Sequence, residues 1–440
     1  MSSSLPRKSL SQLFSWLFFA FIIIAASQFL VAVIVVKFCA PELVGRLALS
    51  NAILTPIFAF SNLDLGALQI TDTKNQYEFE DYLNLRFVTS GIAFLLSIII
   101  PILAGYSLDT LIIVWLGAVL KTLDAVSSIA YGLMQKNEQM KTLAYLGIGK
   151  SLLSITLMGI SIYLTGNLLL ALMLLILFHI LYLFFYEFPY SLATVNSSHL
   201  SGSNRLFSPS TQIDWSKVFT AKWYPRKLLN LAKLALPMGI VTLLINFNAN
   251  IPRYLIEKYN GETSLGIFAA IASLMAIGDT VLNPLGTSAT PRMAQYYAEG
   301  NLKLLWKILS KLVAIAIIIG VIIMGACLLI GQPFLEIVYR KEYGHYTLLL
   351  TLLMLAGSIE DISSFLGRAI TATRSFRIKM FVSATVVTIS AVISLWLIPS
   401  QGLLGAAIAI LSGSIIDVGL NIVAIIYIMT KRRKNKLLLT

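Results

Sequence analysis

YSLATVNSSHLSGSNRLFSPSTQIDWSKVFTAKWYPRK, residues 190–227, is the one long polar interruption in the chain. It holds Asn196, Ser197, Ser198, Ser201, Gly202, Ser203, Asn204, Ser208, Pro209 and Ser210, then Asp214, Lys217, Lys222, Arg226 and Lys227. Ser, Gly, Asn and Pro at that density read as a solvated linker. The residues on either side, 1–189 and 228–440, are dense in apolar side chains, so the linker separates two halves.

Working outward from it, each half resolves into apolar runs of about 20 residues, the length needed to cross a bilayer core about 30 Å thick. Six fall before the linker, near 13–36, 43–62, 83–104, 108–133, 143–165 and 168–188. Six follow it, near 228–252, 264–287, 304–330, 346–371, 376–398 and 403–429. Hydrophobic residues make up 58 % of the chain and charged residues 12 %, against about 45–50 % and 25 % in soluble domains. Mean hydropathy is +0.84. These values exclude a soluble domain. The absence of ten-residue alternating segments excludes a closed barrel. The expected fold is all-α and polytopic, with twelve transmembrane helices: an N-lobe (1–189), a cytoplasmic linker (190–227) and a C-lobe (228–440) with a basic tail.

Charge placement sets the orientation. With the N-terminus in the cytoplasm, that side carries Arg7, Lys8, Lys136, Lys141, Arg226, Lys227, Arg374, Arg377, Lys379 and the tail KRRKNK at 431–436, among others. The opposite side carries Lys37, Arg46, Arg253, Lys258, Arg340 and Lys341. This is a positive-inside distribution and puts both termini and the linker in the cytoplasm. The net charge of +13 therefore calls for no nucleic acid. Anionic lipid head groups suffice as partners of the tail. Arg7 and Lys8 precede a run too long for the apolar core of a cleaved signal peptide. Cys39 and Cys327 lie far apart, and His179, His199 and His345 are scattered, so neither a disulfide framework, a metal site nor a cofactor is expected.

Six spans per half make the halves parallel repeats. LDAVSSIAYGLMQKNEQMK from Leu123 and EDISSFLGRAITATRSFRIK from Glu360 align at Asp124 and Asp361: an acid, a serine pair, an apolar stretch and a basic exit. Transporters built from repeats place their substrate site between them. Polar residues inside the spans fall on single helical faces, as the turn of about 100° per residue allows. Asn51 and Thr55 share a face of the second span, and Asn246, Asn250 and Arg253 one of the seventh. Thr280 lies in a stripe of the eighth span with Asp279 and Asn283 beside it, Asp361 clusters with Arg368, and Asp417 stands with Ser414 and Asn421. Such stripes predict a hydrated cavity. Arg46, Arg253 and Arg368 are its candidate cations for an anionic ligand, because guanidinium forks fit phosphate. Asp124, Asp279, Asp361 and Asp417 are the candidates for ion coupling. The plainer readings stay open: Lys121 with Asp124 as a structural pair, Asp361 with Arg368 likewise, Arg46 and Arg253 as interface anchors, and the Ser/Thr stripes as helix packing.

No Walker sequence, zinc spacing or nucleophile elbow is present, which speaks against an enzyme and an ATPase. Asn196-Ser197-Ser198 fits a glycosylation sequon, but on the cytoplasmic side it is a chance match.

Two six-helix lobes, a cytoplasmic linker, FSNLDLGALQITDTKNQYEFEDYLNLR at 60–86, PRMAQYYAEGNLKLLWK at 291–307 and GQPFLEIVYRKEYGHY at 331–346 together resemble one family. It is the polysaccharide-transporter branch of the multidrug/oligosaccharidyl-lipid/polysaccharide exporter superfamily, and the resemblance runs over essentially the whole chain. It implies a V-shaped protein with a central cavity. The implied activity is flipping of an undecaprenyl-diphosphate-linked oligosaccharide, an O-antigen or capsule repeat unit, across the bacterial inner membrane. Membrane lipids and the polysaccharide polymerase machinery are the implied partners. The chain departs from relatives in two ways: 13–36 carries no Arg, unlike lipid II flippases, and the first and seventh spans carry no acid, unlike many drug exporters. The alternative of the same superfamily is a drug or metabolite exporter coupled to a proton or sodium gradient. A membrane polymerase or ligase would need a large external loop, and the only large loop is expected inside.

Overall fold

A computed structural model describes residues 10–71, 76–137, 139–196, 224–373 and 375–437. Most of the expected linker, 197–223, lies outside the described residues, as do Ser197 and Ser198 of the sequon. Every regular element among the described residues is helical. The chain runs through α1 (Leu10–Phe38), α2 (Pro41–Asn62), the short α3 (Leu65–Thr71), α4 (Phe79–Leu103), α5 (Leu108–Lys136), α6 (Met140–Thr165) and α7 (Leu168–Tyr182). A π-helical turn, Leu183–Glu187, joins α7 to α8 (Phe188–Asn196). Then α9 (Pro225–Ala272) passes through a 3-10 turn into α10 (Ala276–Ala298). After α11 (Leu302–Val338) a second 3-10 turn, Lys341–Tyr346, leads to α12 (Thr347–Ala372) and α13 (Phe376–Leu437).

Local chemistry sets several of these ends. Asn167 accepts hydrogen bonds from the amides of Leu169 and Leu170 and caps α7, satisfying donors that a first helical turn leaves orphaned. Gly166 just before it stops α6 in the left-handed region, at φ 64°. Gly261 (φ 82°, ψ 172°) breaks α9 and Gly402 (φ 57°, ψ −129°) breaks α13. Only a residue without Cβ reaches such angles cheaply.

Nine helices among the described residues are long and apolar enough to cross a membrane, against the twelve spans expected. One of the nine, Arg377–Lys431, contains the Gly402 break and covers two expected spans. Helices α9 and α10, over the expected seventh and eighth spans, fall outside the nine. The physical reason is polarity: Asn246, Asn248, Asn250, Arg253, Glu257 and Lys258 crowd one stretch of α9. On the remaining helices large apolar side chains face outward, with Leu103 82 % and Leu329 84 % exposed. Apolar exposure on this scale belongs in lipid. The protein is a multi-pass helical membrane protein.

The chain divides into two compact units: Met1–Ile34 with Ser50–Asn246, and Val35–Leu49 with Phe247–Thr440. In the first, α4 packs on α5 and α6 on α7, around Leu63, Leu65, Tyr82, Ile129, Phe188 and Leu231. Lys227 at the start of α9 pairs with Asp81 at 2.6 Å, and that hydrogen bond raises Lys227 above the ordinary lysine range. In the second, α12 packs on α10, α11 and α13, around Met293, Leu305, Phe365, Ala369 and Ile425.

The second unit includes a hairpin from far upstream, the tip joining α1 to α2. Arg340 donates to the carbonyl of Lys37 at 3.1 Å and also to that of Cys39. Behind the tip, α2 crosses the start of the helix that follows Gly261, backbone to backbone. A Cβ on Gly45 would stand 1.8 Å from the Glu262 carbonyl oxygen, and one on Gly266 would stand 2.1 Å from that of Pro41. Small residues at such crossings let helices approach closely. Gly45→Ala should therefore cost more than about 3 kcal/mol, beyond ordinary overpacking. Gly91→Ala, which meets nothing within 4 Å, should be near neutral. Thermal unfolding of the two variants in detergent checks both.

Candidate functional site

Two groups of the expected cavity residues come together in the second unit. On α9, Arg253 donates from Nη1 to Asn250 Oδ1 at 2.8 Å, as their one-face spacing predicts. Asn250 is buried and Arg253 half-buried. Between α10 and α12, Arg368 donates from Nη2 to Asn283 Oδ1 at 2.7 Å. Its Nε and Cδ lie over Gly286, within 2.6 and 2.7 Å of where a Cβ would sit. Asp361, on α12 as well, rests its Oδ2 against Gly278 at 2.9 Å from the corresponding position. Thr280 turns its hydroxyl to the Ala276 carbonyl of its own helix, at 2.7 Å. Asp279 falls on α10, and its side chain lies outside the described ones.

Asp417 is held more tightly than its stripe suggests. Ser363 on α12 donates to its Oδ2 at 2.6 Å, and Asn421 donates to its Oδ1 at 2.7 Å and to Ser363 Oγ at 2.9 Å. Lys379 reaches Asn421 Oδ1 at 3.3 Å. Arg46 is bound by carboxylates, Glu262 at 2.8 Å and Glu42 at 2.8 Å. In the first unit, Asn51 is exposed and Thr55 half-buried on α2, and Asn246 turns its amide to the Thr242 carbonyl at 2.8 Å.

Asp124 is not paired as expected. Its ion pair runs to Lys150 of α6, at 3.1 Å, not to Lys121 on its own helix. The Lys150 ammonium also meets Glu187 Oε1 at 3.2 Å and Ser127 Oγ at 3.3 Å. Glu187 has no exposed surface. It accepts hydrogen bonds from Ser127 on Oε2 and from Tyr131 on Oε1, the latter at 2.6 Å. His179 Nε2 stands 3.9 Å from Asp124, and its Nδ1 lies 2.8 Å from the Leu175 carbonyl. The π-helical turn ends on Glu187, and the extra residue it holds sets that side chain's direction. Neither Lys150 nor Glu187 belongs to a polar stripe, so periodicity does not mark them. Their bare charge inside an apolar run does.

A second buried charge escaped the stripe analysis. Arg86 of α4 is 1 % exposed and donates to Asn62 Oδ1 at 2.7 Å and Ser128 Oγ at 3.3 Å. It sits at the end of α2, where Leu63 and Asp64 adopt φ of 48° and 50°. Left-handed backbone at two successive non-glycine residues is strained and needs surrounding structure to hold it. The cation also complements the negative end of the α2 dipole. Among the described residues, no group of three or more His, Cys, Asp or Glu side chains is placed to hold a metal ion.

A family model described as a polysaccharide biosynthesis protein matches residues 10–297. The chain belongs to this family. A capsular polysaccharide biosynthesis protein from Staphylococcus aureus, CapF, is 29 % identical over 409 residues, covering 90 % of this chain and 94 % of that one. The fold is that of solved transporters. A lipid II flippase, MurJ, in an inward closed conformation, superposes with a TM-score of 0.70 at 15 % identity, covering 97 % of this chain and 91 % of that one. An inward-facing multidrug-resistance MATE transporter of the MOP superfamily gives a TM-score of 0.70 at 13 % identity, covering 93 % and 95 %.

Arg86→Met should destabilise the first unit by about 3 kcal/mol, from two charge-assisted hydrogen bonds at about 1.5 kcal/mol or more each. Arg86→Lys keeps the charge but cannot fork to Asn62 and Ser128 together, so it should recover only part of the loss. Apparent melting temperature in detergent reads both.

Proposed function

We propose that the chain is a flippase for a lipid-linked oligosaccharide, carrying an undecaprenyl-diphosphate-bound capsule or O-antigen repeat unit across the cytoplasmic membrane by alternating access. Family membership supports a role in polysaccharide biosynthesis, and a relative named for capsule biosynthesis spans nearly the whole chain. The observation that carries the reading is Arg253. It is a half-buried guanidinium whose hydrogen bond goes to the neutral amide of Asn250. Its positive charge is left uncancelled by that contact and is suited to a diphosphate, which guanidinium binds through paired N–H donors. Asn283 with Arg368 offers a second polar pair of the same kind of chemistry.

Two lobes, 1–189 and 228–440, with twelve crossings, a cytoplasmic linker and both termini in the cytoplasm complete this reading, supported by the placement of Lys and Arg. The polyprenyl tail stays in lipid while the sugar and diphosphate pass through protein. Polymerising enzymes would then consume the flipped unit on the far side. Drug or metabolite export gains no specific support, since the MATE neighbours share the fold at 13 % identity.

Proteoliposomes containing the purified protein should move a fluorescent undecaprenyl-diphosphate oligosaccharide to the opposite leaflet. Protein-free vesicles should not, and failure beside a working control flippase would overturn the reading. Arg253→Gln should slow translocation about tenfold to hundredfold, the worth of one charge-assisted phosphate contact of about 1.5–3 kcal/mol, while Arg253→Lys should fall between.

A further inference from the structure

The site around Lys150 has a chemistry of its own. An ammonium carries three N–H donors, and three oxygens meet this one: Asp124 Oδ1 at 3.1 Å, Glu187 Oε1 at 3.2 Å and Ser127 Oγ at 3.3 Å. They come from α5 and the π-helical turn, while the lysine comes from α6. This is the oxygen cage of a small hard cation, and it is filled by a cation covalently tied to the protein. The remaining groups are accounted for. Tyr131 and Ser127 donate to Glu187, Tyr182 donates to the Leu146 carbonyl at 2.8 Å, and His179 stands at the edge, 3.9 Å from Asp124.

Formal charge leaves the cluster at minus one, with two carboxylates against one ammonium. Glu187 has no exposed surface, whereas the Asp124 side chain is 54 % exposed. A carboxylate so placed on a membrane helix faces water, since hydrocarbon would not tolerate it. The only carboxylate oxygen of the cluster without an assigned contact is Asp124 Oδ2. One oxygen is too few to hold an alkali cation, but it is enough to take a proton.

We propose that Lys150 is a tethered counter-cation in what would otherwise be a sodium site, and that the site exchanges a proton through Asp124. On protonation, Asp124 Oδ2 gains an O–H bond and the cluster becomes neutral. Lys150 keeps all three of its protons and its contacts to Glu187 and Ser127. Release of the proton to water restores the pair. The inference rests on the transporter reading, because a reversible charge change inside a membrane unit is a means of coupling an ion gradient to movement. Its test uses no glycolipid, so failed flipping and a failed cation result are separate outcomes.

Radioactive sodium binding to the purified full-length protein is the first measurement. The wild type and Lys150→Arg should show no saturable binding. Lys150→Met should acquire it, and adding Asp124→Asn to Lys150→Met should abolish it. Saturable binding by the wild type that Asp124→Asn removes would overturn the proposal, as would monodisperse Lys150→Met that binds no sodium. Should Lys150→Met fail to fold, the wild type still decides the matter through intrinsic fluorescence on acidification, with Trp115 of α5 as a reporter on the same helix as Asp124. The response should be equal in sodium and in choline and absent in Asp124→Asn. A response that needs sodium, one that Asp124→Asn retains, or none at all overturns it.

Discussion

Glu187 is fully enclosed, and it lies within a helix that is otherwise apolar. Withdrawing a carboxylate from water costs several kcal/mol unless a partner and hydrogen bonds replace the solvent. Lys150 supplies the partner, and Ser127 and Tyr131 supply the bonds. Those contacts fix how α5, α6 and the π-helical turn stand together in the first unit, since each of the four side chains has reach of only a few ångströms. The helices cannot slide by a turn without leaving a buried charge bare. Lipid offers no substitute, so the polar contacts determine the arrangement and the apolar surfaces fill in around it.

The second unit satisfies the same constraint with related parts. Ser127 and Ser363 each lie ten residues before the C-cap of their helix, Asn137 and Thr373. Ser127 reaches Glu187, and Ser363 reaches Asp417 on α13. A lysine from the intervening helix completes each group, Lys150 in the first and Lys379, through Asn421, in the second. Counted from the C-caps, Asp124 stands opposite Glu360, one residue off the alignment that Asp124 and Asp361 suggest. The parts differ where chemistry would differ. In the first unit the lysine touches the carboxylates directly, and in the second its contact is to an amide. The hairpin Val35–Leu49 follows another rule, because its hold on the second unit is largely backbone against backbone at Gly45 and Gly266.

Local patterns were legible in the sequence because local geometry makes them. Asn250 with Arg253 and Asp417 with Asn421 are neighbours on one helix face, and spacing alone places them. The membrane class follows from hydropathy and from Leu-rich outer faces. Contacts between helices were not legible. Arg46 meets Glu262 across 216 residues and Lys150 meets Glu187 across most of two helices, and no periodicity encodes such pairs. Asp124 illustrates the difference: Lys121 is near in sequence, but Lys150 is the one that the packing of α5 on α6 delivers. The weak hydropathy of α9 has the same origin, since its Asn and Arg side chains serve contacts that the helix cannot supply by itself.

Partner type separates charges that hold the fold from charges able to act on a ligand. Arg46 lies between Glu42 and Glu262, so its field is largely cancelled before any anion arrives. Arg86 has amide and hydroxyl partners but is sealed, with 1 % of its surface exposed. Arg253 differs from both. Its partner Asn250 is neutral and it retains accessible surface, so its field reaches outward undiminished by a carboxylate. Coulomb attraction in a partly desolvated site is several-fold stronger than in water. A diphosphate brought near such a group gains more than one brought near Arg46, although the sequence presents the two as equals. The same reasoning sets Asp124 apart from Glu187. Both touch Lys150, but only Asp124 has the exposed surface through which a proton can come and go.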